Sequence, residues 1–300
     1  MSRPPTGVGP SMSRRPPPGE EGLILVNVLL FVAIAASIVM LMIAAEDGAL
    51  ARAARSREAA RALAIAHGGE LSAITALRRD GVMARDNDNA AEPWARLATR
   101  NAPIEGGAFE LAIADATGRF NVNAVMSGDA AAVVMLQRIA ETAGMTRDMA
   151  VRAVAMIRLY GPVTDLRPLE RAGLDPRALA RLAPLVTALP FDSRINVNAA
   201  SEELLGILLD DPMAAARLVA QRNRRGYLTE ADFAAENAQL PAGTALTSDL
   251  YWVRARVRVG DTAQQLTSLL LRRRRPDGSV DVLPVGRWLG RAPSQAPALS

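Results

Sequence analysis

Side chains that readily do chemistry are scarce in this chain. It holds one histidine, His67, and no cysteine, which excludes a disulfide framework and any cysteine-based metal centre. A single histidine builds no metal site or nucleophile–base pair alone, and no glycine-rich phosphate loop accompanies it. Asp86 and Asp88 lie two residues apart in the polar stretch 81–89. That stretch lacks the remaining ligands of a calcium loop and reads as a turn. No catalytic residue and no metal ligand is therefore assigned, and no cofactor is expected.

Amide and hydroxyl side chains recur instead, in an ordered way. Arg119-Phe-Asn-Val-Asn-Ala124 returns as Arg194-Ile-Asn-Val-Asn-Ala199, and Gly161-Pro-Val-Thr-Asp165 returns as Gly226-Tyr-Leu-Thr-Glu230. Two motifs repeated in the same order mark an internal duplication. Asn and Thr side chains satisfy free backbone N–H groups at helix starts, a gain of about 1 kcal/mol each. Asn121, Asn123, Asn196, Asn198, Thr164 and Thr229 are accordingly expected as structural helix caps. Each copy reads as an Asn-rich entry, helices, a glycine turn and a Thr-capped helix.

Composition narrows the setting. Half of the 300 residues are apolar but only 4% are aromatic, so the core should be helical and poor in rings. Apart from His67, every basic residue is arginine, which a GC-rich genome explains. The formal net charge of +4 is spread along the chain, weak evidence for nucleic acid.

The elements that must position these motifs start with an apolar run from Leu23 to Ala45, interrupted only by Asn27 as a strongly polar side chain. As a helix it is roughly 35 Å long, enough for a bilayer core of about 30 Å. Arg3, Arg14 and Arg15 precede it and Glu46 and Asp47 follow it, which orients the N-terminus to the cytoplasm. Residues 46–80 are rich in helix formers and should prolong the helix, loosened at Gly68-Gly69, with Leu71, Ile74 and Leu77 as its apolar stripe. Strands follow: Phe109, Leu111 and Ile113 alternate with smaller or polar residues within 81–120. Within 246–290, Trp252–Val259, Gln265–Arg274 and Val280–Val285 are separated by Gly260-Asp261 and Pro276-Asp277-Gly278 turns. The run Arg272–Arg275 reads as a solvated strand edge. Residues 121–245 form a helical insertion, and 291–300 read as a disordered tail.

The N-terminal arrangement resembles that of type IV prepilin-like proteins. The apolar run is longer than a secretory signal, and the small residue Gly22 precedes it rather than follows it. The resemblance implies removal of a leader, residues 1–22, by cleavage between Gly22 and Leu23. Most pilin-like subunits carry glutamate as the fifth residue after the cut, where it offsets a neighbour's terminal amine. Here that residue is Asn27, and Glu20 and Glu21 stand where such leaders usually have basic residues. A neutral amide needs no charged partner, which suits a subunit with no neighbour above it.

Arg194-Ile-Asn-Val-Asn-Ala-Ala-Ser-Glu-Glu-Leu-Leu205 and Ala216–Phe233 resemble two families. One is the helix-hairpin-helix module of DNA-uptake proteins, the alternative reading. It needs a Gly-hydrophobic-Gly turn to hold phosphate, whereas Leu205–Pro212 has one glycine and the repelling pair Asp210 and Asp211. The other is the type II secretion minor pseudopilin K family, which the chain resembles from Gly22 to about Trp288 in the order of its parts. That resemblance implies an α+β fold: an N-terminal transmembrane helix continuing into a pilin-like α/β domain, with a large all-α, duplicated, SAM- or helix-hairpin-helix-like insertion. It further implies a non-enzymatic role at the tip of a periplasmic pseudopilus. The implied partners are minor pseudopilins of the I and J types, a prepilin peptidase, the inner membrane and secreted substrates, with no nucleic acid. The acidic, aromatic segment frequent in the family's first helical repeat is replaced here by Val151–Tyr160, so no calcium site is carried over.

Overall fold

The computed structural model describes residues 20–83 and 86–299, with side chains in the first helix from Leu25 onward. Most of the expected leader lies outside the described residues. The chain divides into two compact units, Met1–Ser56 and Arg57–Ser300.

One helix, α1 (Glu20–Met83), enters both units. Among the described residues it alone is long and apolar enough to cross a membrane. In the first unit its large apolar side chains, from Leu25 to Ile43, are exposed, as a lipid-facing segment requires. Ser37 returns its hydroxyl to the Ala33 carbonyl at 2.7 Å, which satisfies it within the helix.

In the second unit α1 stays helical through Gly68-Gly69, so no loosening occurs there. Gly69 instead allows close packing, since a Cβ at that position would lie 2.9 Å from the Phe109 ring. The buried face is Ala62, Ala66, Ala73, Ile74 and Leu77, while Leu71 is exposed. The expected stripe is thus corrected at Leu71: alanines at helical spacing bring the axis close to a sheet, and Leu71 falls outside that arc.

The sheet is antiparallel throughout. Its strands are β1 (Thr99–Ile104), β2 (Gly107–Asp115), β7 (Leu250–Val259), β8 (Thr262–Arg274) and β9 (Val280–Leu289), in that spatial order. β2 and β7, far apart in sequence, pair along their length from Gly107↔Val259 to Asp115↔Tyr251. Val253, Ala255, Val257 and Val259 of β7 meet α1 in one core, and Trp252 lies in a separate cluster on the other face with Leu269 and Trp288. Both edge strands are blunted by proline and a register irregularity, which limits edge pairing with other chains.

Between β2 and β7 stands the helical region. The first copy comprises β3 (Phe120–Asn121), a 3-10 turn at Val122–Ser127, α2 (Ala130–Thr142), α3 (Arg147–Tyr160), a 3-10 turn at Arg167–Ala172, α4 (Pro176–Leu182) and β4 (Val186–Thr187). The second comprises β5 (Ile195–Asn196), α5 (Glu202–Leu209), α6 (Pro212–Arg225), α7 (Glu230–Ala235) and β6 (Thr244–Ala245). In each copy the Asn-rich entry strand pairs in parallel with the strand that closes the copy. These two-residue strands carry no readable periodicity. Both copies share one core, from Phe120 through Ile157 and Leu185 to Leu228 and Phe233.

Residues 291–299 are not a disordered tail. Gln295 is buried and its amide donates to the carbonyls of Thr164 and Ala188 at 3.0 and 3.1 Å. Ser294 donates through its N–H and hydroxyl to Asp165. Arg254 of β7 holds the Pro297 carbonyl at 2.9 Å. Backbone and amide groups here meet matching partners in the first copy and in β7.

Candidate functional site

The repeated motifs meet each other inside each copy. Asn121 accepts from the Asn123 N–H at 3.2 Å, and Asn196 from the Asn198 N–H at 2.9 Å, so the first asparagine of each motif closes a local turn. The second reaches across the copy. Asn123 accepts from the Val163 N–H at 2.9 Å and Asn198 from the Leu228 N–H at 2.7 Å. Val163 and Leu228 hold the same place in the two Gly turns, so each Asn-rich entry is tied to its own Gly turn.

Most of the expected caps therefore need correction. Asn121 does cap the 3-10 turn at Val122–Ser127. Asn123 and Asn198 bridge segments distant in sequence, and Asn196 donates to the Asp88 carbonyl, Asp115 and Ser248. Thr229 is the N-cap of α7, its N–H and hydroxyl both donating to Asp232. Thr164 caps nothing: it is exposed, and the local cap is the Asp165 carboxylate on the Arg167 N–H at 2.8 Å. Asp165 takes that role because its side chain also draws in Ser294. Gly22 and Leu23 lie in α1, with side chains outside the described ones; Asn27 is exposed on the apolar segment.

A buried ionic junction joins α1, the following loop, the sheet and the second copy. Arg272 of β8 donates to Asp80 of α1 at 2.9 Å, to Asp88 and to the Ser248 carbonyl at 2.8 Å. The reading of Arg272 as part of a solvated edge is corrected: β8 lies between β7 and β9, and Arg272 is 7% exposed. The guanidinium also lies 4.9 Å from the centre of the Tyr251 ring, and Trp94 meets Tyr251 edge-on at 5.2 Å. Asp88 further accepts from the Ser248 N–H at 2.7 Å, and Asp115 accepts from Thr117, Asn196 and Ser248.

Charge is unbalanced here. One oxygen each from Asp80, Asp88 and Glu92 lies within 4.8 Å of the others, a spacing at which carboxylates can share a cation. The Arg272 guanidinium supplies that positive charge to Asp80 and Asp88. Glu92 accepts from the Asn89 N–H and the Trp94 indole at 3.0 and 2.8 Å. Burial, with Asp80 and Asp88 nearby, pushes its carboxyl up to about 7. Burial likewise raises Asp80 and Asp115. Despite burial, Tyr251, Asp88 and Asp80 hold the Arg272 guanidinium above its usual range.

On the other side of the junction, Glu70 of α1 receives Arg287 of β9 at 2.9 Å and lies 3.4 Å from His67. Against the opposing effect of burial, hydrogen bonding and charge from Arg287 hold its carboxyl below the ordinary value. Sequence reasoning passed over Asp80, Glu92, Asp115 and Tyr251 and misplaced Arg272, because the partners lie up to 192 residues apart. All of these contacts bind segments to one another, a geometry suited to structural coupling.

The comparisons with known proteins bear on the same parts. A model of the type II secretion system (T2SS) protein K family matches residues 195–251, from β5 into the start of β7. Type II secretion system protein K of Pseudomonas aeruginosa is 29% identical over 311 residues, covering 88% of this chain and 92% of the relative. The protein K of Pectobacterium carotovorum subsp. carotovorum is 25% identical over 306 residues, covering 84% and 92%. Among solved structures, a chain of the GspK–GspI–GspJ complex from the enterotoxigenic Escherichia coli type 2 secretion system superposes with a TM-score of 0.63 at 18% identity, spanning 80% of this chain and all of that one. The family model and both relatives point to the type II secretion system protein K family, and the solved structure shares this chain's fold.

Proposed function

We infer that this chain is a minor pseudopilin of the type II secretion system, a structural component rather than an enzyme. The observation that carries the reading is the combination of an exposed apolar helix with a duplicated helical insertion between paired sheet strands. By analogy with the Escherichia coli assembly, the chain joins pseudopilins of the I and J types. Together they cap the periplasmic pseudopilus and help initiate it, in the export of folded proteins across the outer membrane.

On this reading the first unit anchors the chain once in the bacterial inner membrane, and the part beyond about residue 46 lies in the periplasm. A prepilin peptidase cuts between Gly22 and Leu23 and methylates the new amine. Asn27, neutral and exposed on the apolar segment, then stands fifth in the mature chain and leaves no carboxylate awaiting a neighbour's amine.

N-terminal sequencing of the protein extracted from native membranes tests the reading. A mature start at Leu23 is expected; an intact leader sinks it. In a strain lacking the gene, the Gly22→Ala variant should fail to restore secretion where the unaltered chain succeeds.

A further inference from the structure

The face of the sheet away from α1 carries a row of arginines that make no ion pair among the described residues. Val253, Ala255, Val257 and Val259 meet α1, so the alternate residues of β7, Arg254, Arg256 and Arg258, share the opposite face. Their Cα atoms are about 6.7 Å apart in sequence, two residues of strand rise. Arg256 and Arg258 are exposed. Among the described residues none of the three forms an ion pair. Glu110 of β2 is in register opposite Arg256, yet its Oε2 has no hydrogen-bond partner. Arg254 is drawn aside by the Pro297 carbonyl and by Gln265 at 3.1 Å. Burial, and after it the neighbouring Arg256 charge, push its guanidinium down.

Like charges lined along one strand face are unfavourable, and this row stays within one strand's width. We propose that the Arg256–Arg258 face of β7 docks an extended acidic segment of a partner protein, with carboxylates at every second residue. A strand presents side chains to one face at that same spacing, so two successive acids would meet Arg256 and Arg258 together. The fit favours protein over nucleic acid. Duplex binding draws on about six to ten phosphate contacts, and the row offers two exposed cations. A peptide also brings N–H donors, which the unpartnered Glu110 oxygen can accept after rotation about its terminal torsion. The inference stands apart from the secretion reading, because it rests on the sheet face alone.

The test uses the detergent-solubilised full-length chain and a fluorescent peptide with Glu at alternate positions in a Thr/Val host. Binding by anisotropy should weaken at least tenfold in Arg256→Glu/Arg258→Glu and decline steeply with salt. A peptide with Lys in place of Glu should not bind. The neutral Arg256→Gln/Arg258→Gln variant should show an intermediate loss with unaltered thermal unfolding, and it decides the matter if the charge-reversed chain does not fold. Unchanged affinity in the folded variants overturns the proposal. Equal binding of the Lys peptide, of duplex DNA or of anionic phosphatidylglycerol vesicles does so too.

Discussion

The two copies of the helical region begin with the same Arg-x-Asn-x-Asn motif but are fastened differently. In the first, Asn121 turns inward and holds Leu189 and Phe191 of its own copy. Its links outward include the C-terminal residues, through Asp165, Thr164 and Ala188. In the second, the equivalent Asn196 is fully buried and bound to Asp88, Asp115 and Ser248, groups that belong to the junction at the sheet. The second copy also touches the turn that leads into the first: the Asn196 N–H donates to the Thr117 carbonyl at 3.1 Å, and a Cβ on Gly118 would lie 2.6 Å from the Ala199 carbonyl oxygen. Duplication supplied two similar folding units. The surroundings made one continuous with the sheet and left the other fastened at its margin.

Removing Arg272 should separate the two copies most sharply. In Arg272→Met, the buried Asp80 and Asp88 lose their counter-charge, a destabilisation of about 3–5 kcal/mol. Calorimetric unfolding measures it, and a loss under about 1 kcal/mol would contradict the junction's role. The matching change in the first copy, Asp165→Asn, should cost less, because Arg167 and Ser294 are partly exposed.

Next in size, Asn196→Leu and Asn121→Leu should each cost about 1–3 kcal/mol by stranding buried partners. Hydrogen exchange separates them. Asn196→Leu should speed exchange at 86–89 and 246–249, and Asn121→Leu at 186–191. An identical pattern for both would erase the distinction drawn here.

pH acts on the two fastenings with opposite sign. The Glu92 carboxyl, raised from 4.5 to about 7 in the folded chain, binds its proton more tightly folded than unfolded. Its contribution is full below about 4.5 and is lost as pH rises to about 7. Despite opposing burial, hydrogen bonds from Arg167 and Ser294 hold Asp165 down to about 2, so its contribution is present above about 3.8 and is lost as pH falls towards 2. Relative to the parent, Glu92→Gln should gain melting temperature as pH rises from 4.5 to 7, and Asp165→Asn should gain as pH falls below 3.8. Parallel profiles for the two variants would refute this assignment.

The smallest effect concerns the two threonines. Thr229→Ala should cost about 1 kcal/mol through its lost cap, and Thr164→Ala less than about 0.5 kcal/mol. Equal losses would restore Thr164 as a cap.

Local pattern explains which features were legible beforehand. Alternation along 252–259 announced β7, and the recurrence of Asn-x-Asn announced the duplication. Periodicity could not show that Asn123 and Asn198 reach the Gly turns of their copies, since a side chain's long-range partner leaves no local trace. The apolar stripe on α1 was displaced for the same reason: alanine looks indifferent until a sheet is laid against it.

By itself the sequence determined the apolar segment, the continuing helix, the principal strands and the duplicated insertion, because each rests on spacing within a short stretch. Tertiary structure alone decided that Arg272 is buried, that Asp80, Asp88 and Glu92 converge, and that Ser294 and Gln295 are fastened to the first copy. Those outcomes depend on which distant segments share a low-dielectric space. Charge and hydrogen bonding there are set by neighbours in space rather than in sequence.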